Sequence, residues 1–102
     1  MSVDEAAEAV ETEEQAGLAQ VYYPVAPDTQ LNVRNGPGTN YSIVKVLPLN
    51  TRVPVNCQIP GTTVSGYYGT TNIWDNIGNG EFVSDSYVKT GSDGYIAPRC
   101  NF

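Results

Sequence analysis

The chain has 102 residues, 40% of them apolar, which is room for one domain with a modest core. Its ten Gly and seven Pro disfavour helices and favour strands and turns. The net charge of −6 sits in residues 1–20, which hold six acids and no base; residues 21–102 hold five of each, with no basic cluster for nucleic acid or anionic lipid and no apolar run long enough for a transmembrane helix.

Residues 1–20 are Ala/Glu-rich and lack aromatics. Ser2 with Glu5 resembles a capping box, but the apolar face of Val3, Ala6 and Val10 is thin. A flexible acidic tail or a short frayed helix is expected, with an acidic partner-docking segment as the functional alternative. No basic stretch followed by an apolar one marks a signal peptide, which conflicts with a disulfide between the two cysteines; the simplest resolution is that Met1 starts an engineered or processed form whose export signal is missing.

All ten aromatics lie beyond residue 20, where a domain over residues 21–102 is expected. Gln20 to Val25 reads as a strand, with Pro24 marking an edge or bulge. Leu31 and Val33 alternate with Asn32 and Arg34 up to the turn Asn35-Gly36-Pro37-Gly38, in which both glycines allow positive φ beside the fixed φ of Pro37. Tyr41 to Leu47 is a second apolar run. Arg52 to Cys57 reads as one strand with Val53, Val55 and Cys57 on one face and an exposed edge near Pro54. Gly61 to Thr71 reads as a long hairpin loop.

Asn72 to Ile77 is a further strand, with Ile73 and Ile77 on one face and Trp74 and Asn76 on the other. Gly78-Asn79-Gly80 turns into Glu81-Phe82-Val83. Ser84-Asp85-Ser86 reads as one 3₁₀ turn before Tyr87-Val88, and Gly91 to Gly94 turns again. Five to seven short strands at this spacing argue for an all-β fold, a small barrel. The two cysteines, Cys57 and Cys100, fit one disulfide and an oxidising compartment; two buried free thiols are the alternative.

The run LNVRNGPGTNYSIVKVLPLNTRV, Leu31 to Val53, resembles the opening half of a bacterial SH3 (SH3b) domain. Trp74…Ile77, Gly80-Glu81-Phe82-Val83 and Ser84-Asp85-Ser86-Tyr87-Val88 resemble its later half, in the same order. The Cys57/Cys100 pair and the insertion GTTVSGYYGTTNIWD look like a variant found in secreted actinobacterial proteins. The resemblance implies an SH3-like barrel and cell-wall peptide or peptidoglycan as ligand. This chain departs from the pattern at Asn50, where Gly is usual, in the longer loop at 58–71, and after Val88.

Histidine is absent, which removes Ser-His-Asp and Cys-His triads and nearly all zinc sites. Asp75, Glu81 or Asp85 could be imagined as a hydrolytic carboxylate pair, but no local pattern supports one. Asp93 reads as a turn residue rather than a calcium ligand, and Asn40-Tyr41-Ser42 as a chance glycosylation sequon. No catalytic residue, metal or cofactor is therefore expected.

What remains is aromatic surface. Trp74 either packs under a loop or forms part of a ligand platform. Tyr41, Tyr67, Tyr68 and Tyr95 sit in or beside loops, where rings stack on sugars or peptides. Tyr22, Phe82 and Tyr87 read as core. Arg34 and Asn40 are candidates to hydrogen-bond a carboxylate or peptide backbone, with salt-bridging as the structural alternative for Arg34. The expected ligand-binding set is Arg34, Asn40, Tyr41, Tyr67, Tyr68 and Trp74. The expected function is a secreted or cell-wall-located, monomeric, non-catalytic binding module for cell-wall peptide or glycan. The alternative is a secreted structural or protein-interaction module, inhibitor-like roles included, with a protein partner or self-association through the edge near Pro54.

Overall fold

The structure is a computed structural model that describes residues 20–101. The expected tail, apart from Gln20, lies outside the described residues.

Leu31 to Arg34 shows how the chain chooses its form. Leu31 and Val33 are buried while Asn32 points to solvent, the alternation of a strand with one wet face. Six more strands form, and no α-helix forms among the described residues. In chain order they are β1 (Tyr22–Pro24), β2 (Leu31–Arg34), β3 (Ile43–Leu47), β4 (Arg52–Pro54), β5 (Cys57–Gly66), β6 (Gly69–Gly78) and β7 (Glu81–Ser84), with a 3₁₀ turn at Asp85–Tyr87. The fold is all-β. β1 and β4 form a two-stranded sheet, and the other five lie in the order β3-β2-β7-β6-β5. All strand pairs are antiparallel.

The bridge between Val25 and Val88 brings the two sheets together. The amides of Ala26 and Lys89 reinforce it by donating to Tyr87 O at 2.8 Å and Pro24 O at 2.9 Å. Between the sheets lies a core of Val25, Leu31, Val33, Val53, Val83 and Val88, with Tyr23, Leu47, Ile77 and Tyr87 packed against it. Each fully buried valine contributes roughly 1.5–3 kcal/mol.

Several expectations need correction. Tyr22 is not core: it is 52% exposed, because the β1 alternation sends Tyr23 inward instead. Arg52 to Cys57 is not one strand. Pro54 has no amide to extend the ladder, so β4 ends there and β5 begins at Cys57. The edge near Pro54 is occupied by β1, with Pro54 opposite Tyr22.

Residues 61–71 are not a long loop. β5 and β6 run to a tight Tyr67-Tyr68 turn, with a register shift between Pro60 and Val64 absorbing the extra length. Gly69, at φ 122°, follows the turn. Gly36 and Gly38 do not take positive φ; that falls on Asn50 at φ 66° and on Gly69, Gly80 and Gly91. Gly36 is required for a different reason. A Cβ there would overlap the ring of Tyr41.

Cys57 and Cys100 form a disulfide across 43 residues. It holds the C-terminal segment along the outer edge of β5, where Gln58 N donates to Pro98 O at 2.8 Å and Cys100 N to Gln58 O at 2.9 Å. Such a bond fits an oxidising environment.

Candidate functional site

Two surface clefts flank the five-stranded sheet. The larger, about 510 Å³, lies between the β5–β6 hairpin tip and the stretch after the 3₁₀ turn. Tyr68, Thr70 and Thr71 form one wall, Lys89, Thr90 and Ser92 the other, with Asp85 and Ser86 between them. The hairpin tip is tied to this cleft by its backbone, since Tyr68 N donates to Ser86 O at 2.9 Å. Tyr67 meets the Tyr68 ring edge-on at 4.8 Å between centroids and braces it. Ser84 caps the 3₁₀ turn, its hydroxyl 2.8 Å from that of Ser86.

The smaller cleft, about 320 Å³, is lined by Gln30, Asn32, Arg34, Thr39, Val64 and Tyr87 among others, with Trp74 beneath. The six expected ligand-binding residues are thus divided rather than gathered in one groove. Arg34 and Trp74 belong to the smaller cleft and Tyr68 to the larger. Asn40, Tyr41 and Tyr67 are exposed and line neither.

Arg34 forms no salt bridge among the described residues, yet it is not free. Its Nη1 donates to Thr39 O at 3.1 Å and Tyr41 O at 2.9 Å, so it props the glycine loop from below. Trp74 is 2% exposed and its Nε1 donates to Thr62 O at 2.8 Å. It packs under the bulged part of β5 and is not an exposed platform. Alternation alone could not decide this, because Ile73, Trp74, Asp75 and Asn76 are all buried and β6 is covered on both faces. Tyr95 is engaged by Arg99, whose guanidinium carbon lies 3.1 Å from the ring centroid.

The sequence did not reveal the buried polar group behind the larger cleft. Gln58 is fully buried and pairs across the strands with Asp75. Its Nε2 donates to Asp75 Oδ1 at 2.7 Å, while its Oε1 accepts the amides of Ile96 at 2.7 Å and Ala97 at 3.0 Å. Asp75 and Asp85 then face each other, each with one buried oxygen left over. A proton on Asp75, donated to Asp85, satisfies both. Burial first, and then the hydrogen bond and charge of Asp85, raise the Asp75 pKa from 3.8 to about 9. Burial also raises that of Asp85, while the hydrogen bond from Asp75 opposes the rise. Of the three carboxylates considered for hydrolysis, Glu81 is instead paired with Lys45 at 3.1 Å.

No family model matches the sequence. The chain is 45% identical over 95 residues to the uncharacterized protein YraI of Bacillus subtilis strain 168, covering 83% of this chain and 80% of that protein. It is 47% identical over 94 residues to the uncharacterized protein YraJ of the same strain, covering 82% and 80%. The chain belongs to the YraI and YraJ family.

For this member of the YraI and YraJ family, the geometry separates two kinds of chemistry. The larger cleft presents hydroxyls, backbone, one aromatic ring and the exposed charges of Lys89 and Asp93 to solvent. The carboxyl of Asp75 lies behind it with no exposure at all. A polar ligand can meet the first set but not Asp75, which acts on the cleft only through Asp85.

Proposed function

We propose that this chain is a secreted, non-catalytic binding module of the bacterial SH3 kind, whose ligand is bacterial cell-wall peptide or glycan seated in the larger cleft. The observation that carries the reading is Tyr68. It is a partly exposed ring on a cleft wall, anchored through its own amide to Ser86 and braced by Tyr67. A ring fixed before binding loses little entropy when a sugar face or peptide stacks on it. The hydroxyls of Thr70, Thr71, Thr90 and Ser92 around it suit a ligand rich in amides and hydroxyls.

Two further observations favour this reading. The segments resembling SH3b modules fall on adjacent strands, where Arg34 of β2 pairs with Phe82 of β7. Asp75, buried and hydrogen-bonded to Gln58, serves the interior rather than a substrate.

Retention of the purified chain on cell-wall sacculi tests the proposal. Wild type is expected to be retained with micromolar affinity, and Tyr68→Ala to lose about fivefold or more, as loss of an aromatic anchor does. Gln30→Ala, in the smaller cleft, is expected to bind like wild type. Equal retention of wild type and Tyr68→Ala removes the larger cleft as the seat. Failure of wild type to bind removes the cell-wall reading.

A further inference from the structure

Arg34, at the end of β2, is the one charged residue that lines the smaller cleft, and among the described residues no acid lines it. The ion pair that the described residues do make lies elsewhere, between Lys45 and Glu81. Arg34 is half-buried. A cation in that position has lost part of its hydration, and an anion meeting it offsets the loss.

Hydrogen bonds fix the guanidinium before any ligand arrives. Nη1 donates to Thr39 O at 3.1 Å and to Tyr41 O at 2.9 Å. Thr39 is held in turn, since its amide donates to Thr62 Oγ1 at 3.2 Å. Thr62 O accepts from Trp74 Nε1 at 2.8 Å. Arg34, Thr39, Thr62 and Trp74 thus form one chain of contacts beside the cleft. Both acceptors of Arg34 are neutral carbonyls, and both are served by Nη1. Nε and Nη2 meet no acceptor among the described residues. These two N–H groups lie side by side on the guanidinium and match the two oxygens of a carboxylate.

We propose that the smaller cleft is a carboxylate site, in which a short peptide pairs its carboxylate with Nε and Nη2 of Arg34. The apolar part of the ligand lies against Val64 and the ring of Tyr87, both half-buried. Asn32 and Thr39, both exposed, offer hydrogen bonds to the adjoining peptide unit. The volume of about 320 Å³ is at the small end of ligand pockets, which suits one or two residues rather than a folded partner. A peptide C-terminus and an acidic side chain present the same chemistry to Arg34. The proposal does not rest on the cell-wall reading, because the two clefts share no lining residue. Since the arginine is already held in place, little ordering is left for the ligand to impose.

NMR titration of the full, disulfide-intact chain tests this with three soluble probes. N-acetyl-alanyl-alanine ends in a carboxylate, its C-terminal amide has none, and N-acetyl-glutamic acid α-amide carries one on its side chain alone. Saturable shifts of the Arg34 Nε–H and Trp74 Nε1–H signals are expected with at least one of the two acids. The neutral amide is expected to bind about tenfold or more weakly, as loss of a charge-assisted pair does. Whichever acid binds more tightly identifies the source of the carboxylate. Asn32→Asp, at an exposed position on the same face of β2, sets a competing carboxylate beside Arg34 and is expected to weaken the acids about tenfold or more. The comparison of acid with amide is made on wild type and does not depend on that variant folding. Equal binding of N-acetyl-alanyl-alanine and its amide, with no shift from the side-chain acid, would overturn the proposal. So would the absence of a saturable shift with either acid, shifts that gather at Tyr68 and Ser86 in the larger cleft, or a folded Asn32→Asp variant that binds the acids like wild type.

Discussion

Gln58 donates from Nε2 to Oδ1 of Asp75 over 2.7 Å, and the same amide accepts the backbone N–H groups of Ile96 and Ala97. One side chain thus joins the β5–β6 pair to the C-terminal segment. Asp75 passes the connection on to Asp85 at the larger cleft. The network is buried, so each group in it depends on its partner.

Gln58→Leu is expected to destabilise the fold by about 3–5 kcal/mol, since it strands two amides and a carboxyl oxygen at about 1–3 kcal/mol each, with partial relaxation. A lower urea midpoint, read by Trp74 fluorescence, checks it. A change below about 1 kcal/mol would mean that the network is not structural.

The paired carboxyls give stability a definite pH dependence. Asp75 has a folded pKa of about 9 against 3.8 for the free group. Between those values the folded chain holds a proton that the unfolded chain has released. The contribution of this group is therefore complete below about pH 4 and is lost as pH rises toward 9, at up to about 1.4 kcal/mol per pH unit. Asp85 shifts in the same direction. Asp75→Asn keeps the acceptor for Gln58 and supplies a permanent N–H toward Asp85. It is expected to flatten the slope and to be more stable than wild type at pH 8. Denaturation at a series of pH values measures both, and parallel profiles would refute the shared proton.

Backbone demands at two loop positions predict opposite outcomes. Asn50 takes φ 66°, a left-handed conformation that Asn tolerates and Gly adopts freely. Asn50→Gly is expected to stay within about 0.5 kcal/mol of wild type, whereas Asn50→Val loses about 1–2 kcal/mol. At Gly36 the constraint is space. Gly36→Ala must displace the ring of Tyr41, which lies directly over it, and is expected to cost about 1–3 kcal/mol. Removing the ring relieves the clash, so Tyr41→Ala is expected to recover part of that loss. A double-mutant cycle by thermal melting tests the coupling.

These residues also show which features were legible in the sequence. Leu31 and Val33 announced their strand because one face of β2 is wet, which makes the alternation visible. Asn50 stood out only against the SH3b-like pattern, and the structure gives this residue a positive φ of its own. The positions of Trp74 and Asp75 were not readable. β6 is buried on both faces, so period-two patterning carries no information about them. The grouping of Gln58, Asp75 and Asp85 depends on strand register across 17 residues and on one 3₁₀ turn, neither of which leaves a local signature. The division of the expected site between two clefts has the same origin. Tyr68 and Arg34 lie on elements whose relative placement is set by the bulged β5–β6 hairpin, which the sequence presented only as Gly/Thr-rich.

The disulfide bears on both the sheet and the cleft. It closes a loop across 43 residues, for which chain entropy gives about 4 kcal/mol. It also holds the C-terminal segment in place so that Ile96 and Ala97 can reach Gln58. Replacing both cysteines with alanine is therefore expected to lower stability by about 4 kcal/mol and to loosen the segment before the rest unfolds. Hydrogen exchange distinguishes the two effects. The amides of Ile96, Ala97 and Cys100 should lose protection first, since they depend on Gln58 and the bridge, while those of β2 and β7 exchange only with global unfolding. If all of them lose protection together, the bridge acts on the unfolded chain alone and Gln58 holds the segment unaided.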